Sequence, residues 1–304
     1  MKILLTTSVL LALAGAALGD AAAQDAPAEA PTRSTPLPKI VAPIPTEEIT
    51  ITANRMRTIV RNFVDVATMP SPLNAVSRWK TRLCPHTTGM SPNFTKFVDA
   101  RVRSVAQQIG APVNTDPDCS PNLQIIFTER PQEMLDTIRT KLPALLGYHY
   151  AAQAKELATV EHPIQGWYAT GTRDRMGQLI PDNPYGFATA TVEGSRLRTG
   201  FRAEFLAVTI VIDLVRVENQ EIGAIADHAA MLALSQARAF DRCRPVPSIT
   251  NMFLDCGDDI ATGLTKYDVA YLKALYHTPD RDTPANLLKG DIAYLMREYL
   301  TGAK

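Results

Sequence analysis

The stretch IADHAAMLALSQ, residues 225–236, decides how the central part of this chain is expected to fold. It follows FLAVTIVIDL, residues 205–214, in which Thr209 and Asp213 are the only polar residues. An apolar run of this length predicts a strand that is buried on both faces of its sheet. The alanine- and leucine-rich stretch predicts a helix from about residue 218 to residue 238. We therefore expect a buried strand followed by a helix.

Further strands and helices are predicted on both sides of this pair. Residues 47–54 alternate apolar and polar side chains, which is typical of a strand. Apolar residues recur at helical spacing over 93–109, and Gly110 is placed to end that helix. The other predicted strands are 122–128, 164–170 and 186–193, and the other predicted helices are 131–142, 265–276 and 284–300. This order predicts an α+β domain in which helices pack on a mixed sheet.

The first residues have the features of a secretory signal peptide. Lys2 precedes the apolar stretch 3–18, and the small residues Ala21 to Ala23 offer a cleavage site. The segment that follows is rich in proline and alanine, so it is expected to be flexible or extended. The predicted organisation is a signal peptide (1–23), a flexible leader (24–45) and a single domain (46–304).

The mature protein is expected to be exported, to the periplasm or the extracellular space, without a transmembrane segment. The N-terminal apolar stretch is shorter than the roughly 20 residues that cross a bilayer, so we favour a cleaved signal over a retained anchor. Lysine plus arginine and aspartate plus glutamate number 31 each, and the charges are interspersed. This balance gives no support to nucleic-acid binding by a basic face or to a basic membrane-surface helix.

Four cysteines in the mature part suit an oxidising compartment. Cys84 and Cys119 flank one predicted helix, whereas Cys243 and Cys256 flank one predicted loop. Proximity therefore favours one disulfide within each pair, and each bridge is expected to stabilise the fold by roughly 2–4 kcal/mol. The alternative, a cysteine-based zinc site, lacks a CxxC spacing. His86 lies two residues after the first cysteine and is expected to be a surface residue on a loop.

The stretch LTKYDVAYLKALY, residues 264–276, predicts a helix with a well-defined start. Thr265 can cap this helix through its hydroxyl, and Asp268, three residues later, can complete a capping box. An apolar stripe follows on one face of the helix. The stripe consists of Val269, Leu272, Leu275 and Tyr276. Helix formation alone accounts for this pattern.

The same stretch resembles the C-terminal helix of matrixin-type zinc peptidases, which has the form Leu-Ser/Thr-x-x-Asp-Ile/Val-x-x-Ile/Leu-x-x-Leu-Tyr. The matching positions are Leu264, Thr265, Asp268, Val269, Leu272, Leu275 and Tyr276. The segment PSITNMFLD, residues 247–255, stands where those peptidases turn beneath the metal on a methionine, and Met252 is the candidate. The chain thus looks like a member of a bacterial secreted family that resembles a degenerate zincin. The resemblance implies a zincin-like fold, here stabilised by disulfides.

The residues that would bind zinc are missing from the corresponding helix. Zincins place two histidines at i and i+4, a glutamate as general base after the first, and a third ligand past a glycine. On this pattern Ala226 and Ala230 stand at the two histidine positions. Asp227 falls at the glutamate and Gln236 at the third ligand. A methyl group has no lone pair for a metal, so we expect no zinc and no other cofactor.

Asp227 and His228 are the remaining candidate catalytic residues. Shifting the register places His228 on a ligand position, but its i+4 partner is then Leu232. Asp227 is expected either to pair with an arginine such as Arg101 or Arg103, or to be a relic general base. We favour the structural role, because a base needs an activated nucleophile beside it.

These features favour a non-catalytic role in the cell envelope. A peptidase-shaped cleft without zinc can still hold an extended peptide by strand addition, so an extended peptide or an envelope protein is the expected partner. Trp79, Trp167 and Tyr168 either line such a groove or belong to the core. One alternative is an active hydrolase or metallopeptidase with an atypical site made of the two candidate residues and His86. Another is a purely structural envelope component.

Overall fold

The structure is a computed structural model in which eight parts of the chain are described. These parts are residues 53–71, 74–147, 157–180, 194–237, 243–244, 246–257, 261–279 and 281–302. They all belong to one compact unit. Within them, no helix is both long enough and apolar enough to cross a membrane.

A mixed five-stranded sheet forms the centre of the fold. Its strands are β1 (Pro85–Thr88), β2 (Leu123–Thr128), β3 (Ile164–Arg173), β4 (Leu179–Ile180) and β5 (Arg202–Asp213). Their order across the sheet is β1-β2-β5-β3-β4. Strands β1, β2 and β5 are parallel, β3 is antiparallel to β5, and the short β4 is antiparallel to β3. The last long strand in sequence therefore lies in the middle of the sheet, where both of its neighbours protect it.

Six α-helices are present in the described parts of the chain. They are α1 (Ala53–Ala67), α2 (Pro92–Ile109), α3 (Pro131–Lys141), α4 (Ile222–Leu234), α5 (Lys266–His277) and α6 (Ala285–Thr301). Two 3-10 turns follow α3 and α4, at Pro143–Leu146 and Ile249–Asn251. Gly110 ends α2 with φ 79°, a left-handed conformation that glycine adopts without steric cost. The combination of these helices with a mixed sheet agrees with the predicted α+β class.

The sheet has a hydrophobic cluster on each face. On β2, Leu123, Ile125 and Phe127 point into the main cluster, which also contains apolar residues of α1, α2, α4, α5 and α6. A smaller cluster on the other face joins Trp167 of β3 to residues of α3 and the first 3-10 turn. Successive side chains of a strand point to opposite faces of the sheet, which explains why one set of strand residues packs in each cluster. Helix α4 lies in the main cluster and is buried from Ala224 to Leu234.

Most elements predicted from periodicity are confirmed, with small shifts of their ends. The helix predicted from 218 to 238 is shorter, because the residues before Ile222 form turns and Ser235 is already extended. The buried strand is confirmed, although Leu206 within it is 41% exposed. The strand predicted at 186–193 lies outside the described residues.

Two predictions at the N-terminal side of the domain were wrong. Ala53 and Asn54, the end of the strand predicted over 47–54, begin helix α1 instead; the rest of that stretch lies outside the described residues. The segment around His86, predicted as a loop, forms β1, where His86 itself is exposed. A four-residue segment that contains proline has little β-propensity of its own, so its sequence does not predict a strand. It is extended here because it pairs with β2.

Both expected disulfides are formed. Cys84 is bonded to Cys119 with a Cα–Cα distance of 6.1 Å, and Cys243 to Cys256 with a Cα–Cα distance of 5.6 Å. The first bridge joins the residue before β1 to the segment that leads into β2. The second closes the loop that carries the 3-10 turn after α4. The pairing by sequence proximity is therefore confirmed.

Candidate functional site

Helix α4 contains the positions that the expected zincin pattern assigns to metal ligands, and here nearly all of its surface is buried. All residues from Ala224 to Leu234 are buried. Ala226 and Ala230, which stand at the two histidine positions, have no exposed surface and belong to the main hydrophobic cluster. Both methyl groups therefore pack inside the protein, and neither of them lines a cleft.

Asp227 is held by two other parts of the fold. Its Oδ1 accepts a hydrogen bond from Arg101 Nε at 2.6 Å, and its Oδ2 accepts from Arg101 Nη2 at 3.0 Å. The backbone N–H of Leu264 donates to Oδ2 at 3.0 Å. Arg103 instead points toward Cys119, with Nη2 3.8 Å from its sulfur. The expected arginine partner is therefore Arg101, and Asp227 ties α4 to α2 and to Leu264 in the segment before α5.

The environment of Asp227 does not resemble that of a general base. The hydrogen bond from Arg101 to Asp227 raises the pKa of the Arg101 guanidinium, which therefore keeps its positive charge beside the carboxylate. Both carboxylate oxygens already accept hydrogen bonds from donors of the protein. A carboxylate in this state has little capacity left to take a proton from a water molecule.

A double-mutant cycle tests the structural role of the pair. Arg101→Leu leaves the carboxylate of Asp227, which is 5% exposed, without its counter-charge, and we expect a loss of about 3 kcal/mol. Asp227→Leu leaves Arg101, which is 40% exposed and can be hydrated, so the expected loss is smaller, about 1–2 kcal/mol. The double variant should be more stable than Arg101→Leu alone. Urea unfolding of the four proteins measures these differences; equal losses for the two single variants would contradict the assignment.

Three aromatic side chains satisfy the carbonyl groups at the C-terminal end of α4. Trp79 Nε1 donates to the carbonyl of Ala233 at 2.8 Å, and the hydroxyl of Tyr276 donates to Leu234 at 2.9 Å. The hydroxyl of Tyr168 donates to Leu232 at 2.9 Å. The last carbonyls of any helix lack partners within it, and a buried helix end needs donors from elsewhere. These are the partners that sequence reasoning missed; only the mixed character of tryptophan and tyrosine pointed to them.

The two tryptophans considered as groove residues are core residues, and Tyr168 is partly buried against the main cluster. Trp79 is 1% exposed and lies in the main cluster, whereas Trp167 is 3% exposed and lies in the smaller cluster on the other face of the sheet. The indole N–H of Trp167 donates to the carbonyl of Leu157. Burial raises the pKa of the Tyr168 hydroxyl, which keeps it protonated as a donor. The two tryptophans therefore do not share one groove.

The residues of the matrixin-like motif hold the loop after α4 against α5. Asp268 has no exposed surface, and its carboxylate accepts from Ser248 Oγ at 2.6 Å and from the backbone N–H of Ile249 and Thr265 at 2.9 Å each. The N–H of Asp268 donates to Thr265 Oγ1, which completes the predicted capping box. Burial raises the pKa of Asp268, and the hydrogen bonds that it accepts work in the opposite direction.

Met252 lies at the end of the 3-10 turn that this carboxylate positions. It is 6% exposed and belongs to the main cluster, together with α4. Leu275 is buried in the same cluster, and its carbonyl and that of Thr278 accept from Arg78 Nη1 at 2.7 Å each. The motif-bearing residues thus connect α4, the loop that carries Met252 (residues 247–255, the methionine loop) and α5 by packing and hydrogen bonds.

His228 is buried beside Asp227 but points elsewhere, because adjacent residues of a helix do not face each other. Its ring lies 5.5 Å from the ring of Phe253, and its Nδ1 has no hydrogen-bond partner in the described parts of the chain. Burial, and secondarily the proximity of His162, lowers the pKa of His228 to about 4. His228 is therefore neutral at physiological pH.

The other histidines are dispersed. His86 is exposed on β1, His162 precedes β3, and the ring of His277 contacts the carbonyl of Lys273 at the end of α5. His149 lies outside the described residues. In the part of the chain that the structure describes, no group of three or more histidine, cysteine, aspartate or glutamate side chains is arranged to hold a metal ion.

The low pKa of His228 predicts a loss of stability in acid. The unfolded chain binds a proton near pH 6.5 and the folded chain only near pH 4, so protonation favours unfolding between these values. We expect this histidine alone to lower the free energy of unfolding by about 3 kcal/mol as the pH falls through that window. Unfolding measured at several pH values should show a flatter profile in His228→Leu, whereas His86→Gln, at an exposed position, should keep the profile of the native protein. An unchanged slope in His228→Leu would refute this assignment.

No family model matches this chain, and no curated protein or solved structure is significantly similar to it.

Proposed function

We propose that this chain is an exported protein with a zincin-like fold in which the former catalytic helix is now a core element. It acts by binding in the cell envelope, without metal catalysis. The observation that carries this proposal is the state of α4: Ala226 and Ala230 are buried against apolar neighbours, and Asp227 is engaged on both oxygens. A helix in this state supports the domain and offers no coordination site at these positions.

The order of elements supports the zincin-like part of the proposal. A buried central strand, β5, is followed by α4, by a turn that ends at Met252, and by α5 with the capping box of Thr265 and Asp268. This is the sequence of elements that the resemblance implies. The contacts of Asp227 with Leu264 and of Tyr276 with Leu234 join α4 to the start and the end of the motif-bearing stretch.

Export is supported by the cysteines, because disulfides persist in oxidising compartments and are rare in the cytosol. All four cysteines are paired in two bridges. The signal peptide proposed over residues 1–23 accounts for how such a chain reaches the periplasm or the extracellular space.

The outer edge of β3 is the part of the sheet best suited to pair with an extended peptide. Pro163 accepts from Asp213, so pairing alternates along β3, and the backbone groups of Ile164 and Gly166 point away from β5. In the described parts of the chain, β4 covers the far end of β3 and Gly147 lies against the carbonyl of Tyr168, so Ile164 and Gly166 are the positions that remain for pairing. The opposite edge is less suitable, because Pro85 lacks an N–H. We propose that an extended peptide of an envelope protein binds by strand addition to β3.

A peptidase assay with a chelator tests the loss of metal catalysis. Purified protein is incubated with a mixture of unstructured peptides, with and without 1,10-phenanthroline and added zinc, beside an active zinc peptidase as positive control. We expect no chelator-sensitive cleavage. Cleavage that the chelator abolishes and zinc restores would favour the alternative, an active hydrolase. That alternative needs His86 near Asp227 and His228, and no hydrogen bond among the described residues joins His86 to either of them.

A further inference from the structure

A surface pocket with a cavity volume of about 260 Å³ lies between the end of α1 and the start of α6. Pro70 and Ala285 form its apolar wall. The other lining residues have polar side chains, and we call the site the polar pocket and define it by them: Asp65, Asn74, Asn286 and Lys289. The pocket shares no residue with α4 or with the edge of β3.

The backbone around the polar pocket is fixed by hydrogen bonds. The N–H of Asn74 donates to the carbonyl of Ser71 at 2.9 Å, and the carbonyl of Asn74 accepts from the N–H of Ala285 at 2.8 Å. A β-bridge between Pro70 and Val76 closes the loop that carries Asn74. Asn74 has φ 56°, a left-handed conformation that asparagine tolerates better than most residues. The loop and the first turn of α6 are therefore held together without a ligand.

The two charged residues of the polar pocket neutralise each other. Lys289 Nζ lies 4.0 Å from Asp65 Oδ1 and donates to the backbone carbonyl of Asp65 at 3.0 Å. One ammonium group and one carboxylate give the lining no net charge. An anionic ligand would meet the carboxylate of Asp65, and a cationic ligand would meet the ammonium group of Lys289. The lining therefore favours a neutral ligand.

The two asparagines supply hydrogen-bonding groups that are available to such a ligand. In the part of the chain that the structure describes, the side chains of Asn74 and Asn286 make no hydrogen bond. Each side-chain amide has two donor hydrogens and an acceptor oxygen. The carboxylate of Asp65 adds acceptors, and the ammonium group of Lys289 adds donors beyond the one that the Asp65 carbonyl accepts. Donors and acceptors are therefore mixed around the pocket.

Hydroxyl groups match a mixed lining, because each hydroxyl is both a donor and an acceptor. The volume is slightly below the range of about 300–1,000 Å³ that is typical of pockets for drug-sized ligands, so the ligand is small. A single sugar ring combines this size with several neighbouring hydroxyls and no charge. The apolar wall of Pro70 and Ala285 suits the C–H groups of such a ring.

We propose that the polar pocket binds one neutral sugar residue. This residue is either a free monosaccharide or the end of a longer glycan, since both present the same ring hydroxyls. The inference uses no residue of α4 and none of β3, so its failure would leave the proposed function unchanged, and the converse also holds.

Removal of one asparagine amide tests the proposal. Binding of glucose, galactose and N-acetylglucosamine, and of maltotriose and chitotriose as longer glycans, is measured by ligand-observed NMR titration of the purified protein at low and high salt. Asn286→Ala removes an exposed side chain at the second position of α6. The matched control is Asn93→Ala, which removes an exposed asparagine at the second position of α2. Thermal unfolding checks that both variants keep the fold.

We expect at least one of these sugars to bind with millimolar affinity, at least about tenfold more weakly in Asn286→Ala and unchanged in Asn93→Ala. The affinity should be the same at low and high salt, because the ligand is neutral. Equal affinities for a monosaccharide and its trisaccharide would identify a free sugar, and tighter binding of the trisaccharide would identify the end of a glycan. The proposal is overturned if the native protein binds none of the five sugars, or if Asn286→Ala binds them as well as Asn93→Ala does.

Discussion

Replacing Asp268 with alanine is expected to lower the free energy of unfolding by about 3–5 kcal/mol. The carboxylate is completely buried and accepts hydrogen bonds from Ser248, Ile249 and Thr265. Without it, the hydroxyl and the two backbone N–H groups lose their acceptor inside the protein, and each unsatisfied donor costs about 1–3 kcal/mol. The carboxylate half of the capping box is lost in the same change, whereas Thr265 Oγ1 still accepts from the backbone N–H of residue 268.

Urea unfolding of Asp268→Ala measures this effect against Asp291→Ala, a change at an exposed aspartate of α6 that should stay within about 0.5 kcal/mol of the native protein. Amide exchange should also increase at Ile249, because its N–H loses its acceptor and the methionine loop is released. If Asp268→Ala were as stable as Asp291→Ala, the carboxylate would not be holding the loop.

Replacing Gly89 with alanine is expected to cost about 3 kcal/mol or to prevent folding. Gly89 follows β1 with φ 89°, a conformation that L side chains rarely adopt. A Cβ atom at this position would fall inside the carbonyl oxygen of Phe127, which belongs to β2. A clash with backbone cannot be relieved by a change of rotamer, so β1 would have to move away from its neighbour.

Gly177→Ala separates the clash from the cost of the backbone conformation. Gly177 has a similar φ of 80°, but a Cβ added there would meet no atom within 4 Å. Its expected cost is about 1 kcal/mol, which is the penalty of the left-handed conformation itself. Thermal or urea unfolding of both variants checks the difference. Equal losses would show that the contact with Phe127 is not what requires glycine at position 89.

Local patterns were sufficient to predict α2, β2, α5 and α6, because each has an apolar stripe and a clear start or end. The capping residues Thr265 and Asp268 fixed the start of α5, and Gly110 fixed the end of α2. The helix signal of α1 was also present, since Met56, Val60 and Phe63 recur at helical spacing. The alternation of apolar and polar residues over 47–54 favoured a strand, and that prediction was wrong at Ala53 and Asn54.

The contacts that define the site depend on tertiary structure. An arginine partner for Asp227 could be expected from its charge, but the choice of Arg101 over Arg103 depends on how α2 faces α4. The donors that cap the end of α4 come from residues 79, 168 and 276, which no sequence pattern brings together. A small pocket lined by Arg78, Phe201 and Thr283 likewise assembles residues that are far apart in the sequence. Only the folded sheet makes them neighbours.

The metal content of the purified protein tests the central claim most directly. The protein is incubated with excess zinc, dialysed against metal-free buffer and measured by elemental analysis. We expect well below about 0.1 zinc per chain, because α4, the helix that the proposed zincin-like fold would use, presents buried methyl groups and an aspartate already bound to arginine. A retained content of about one zinc per chain would contradict the account.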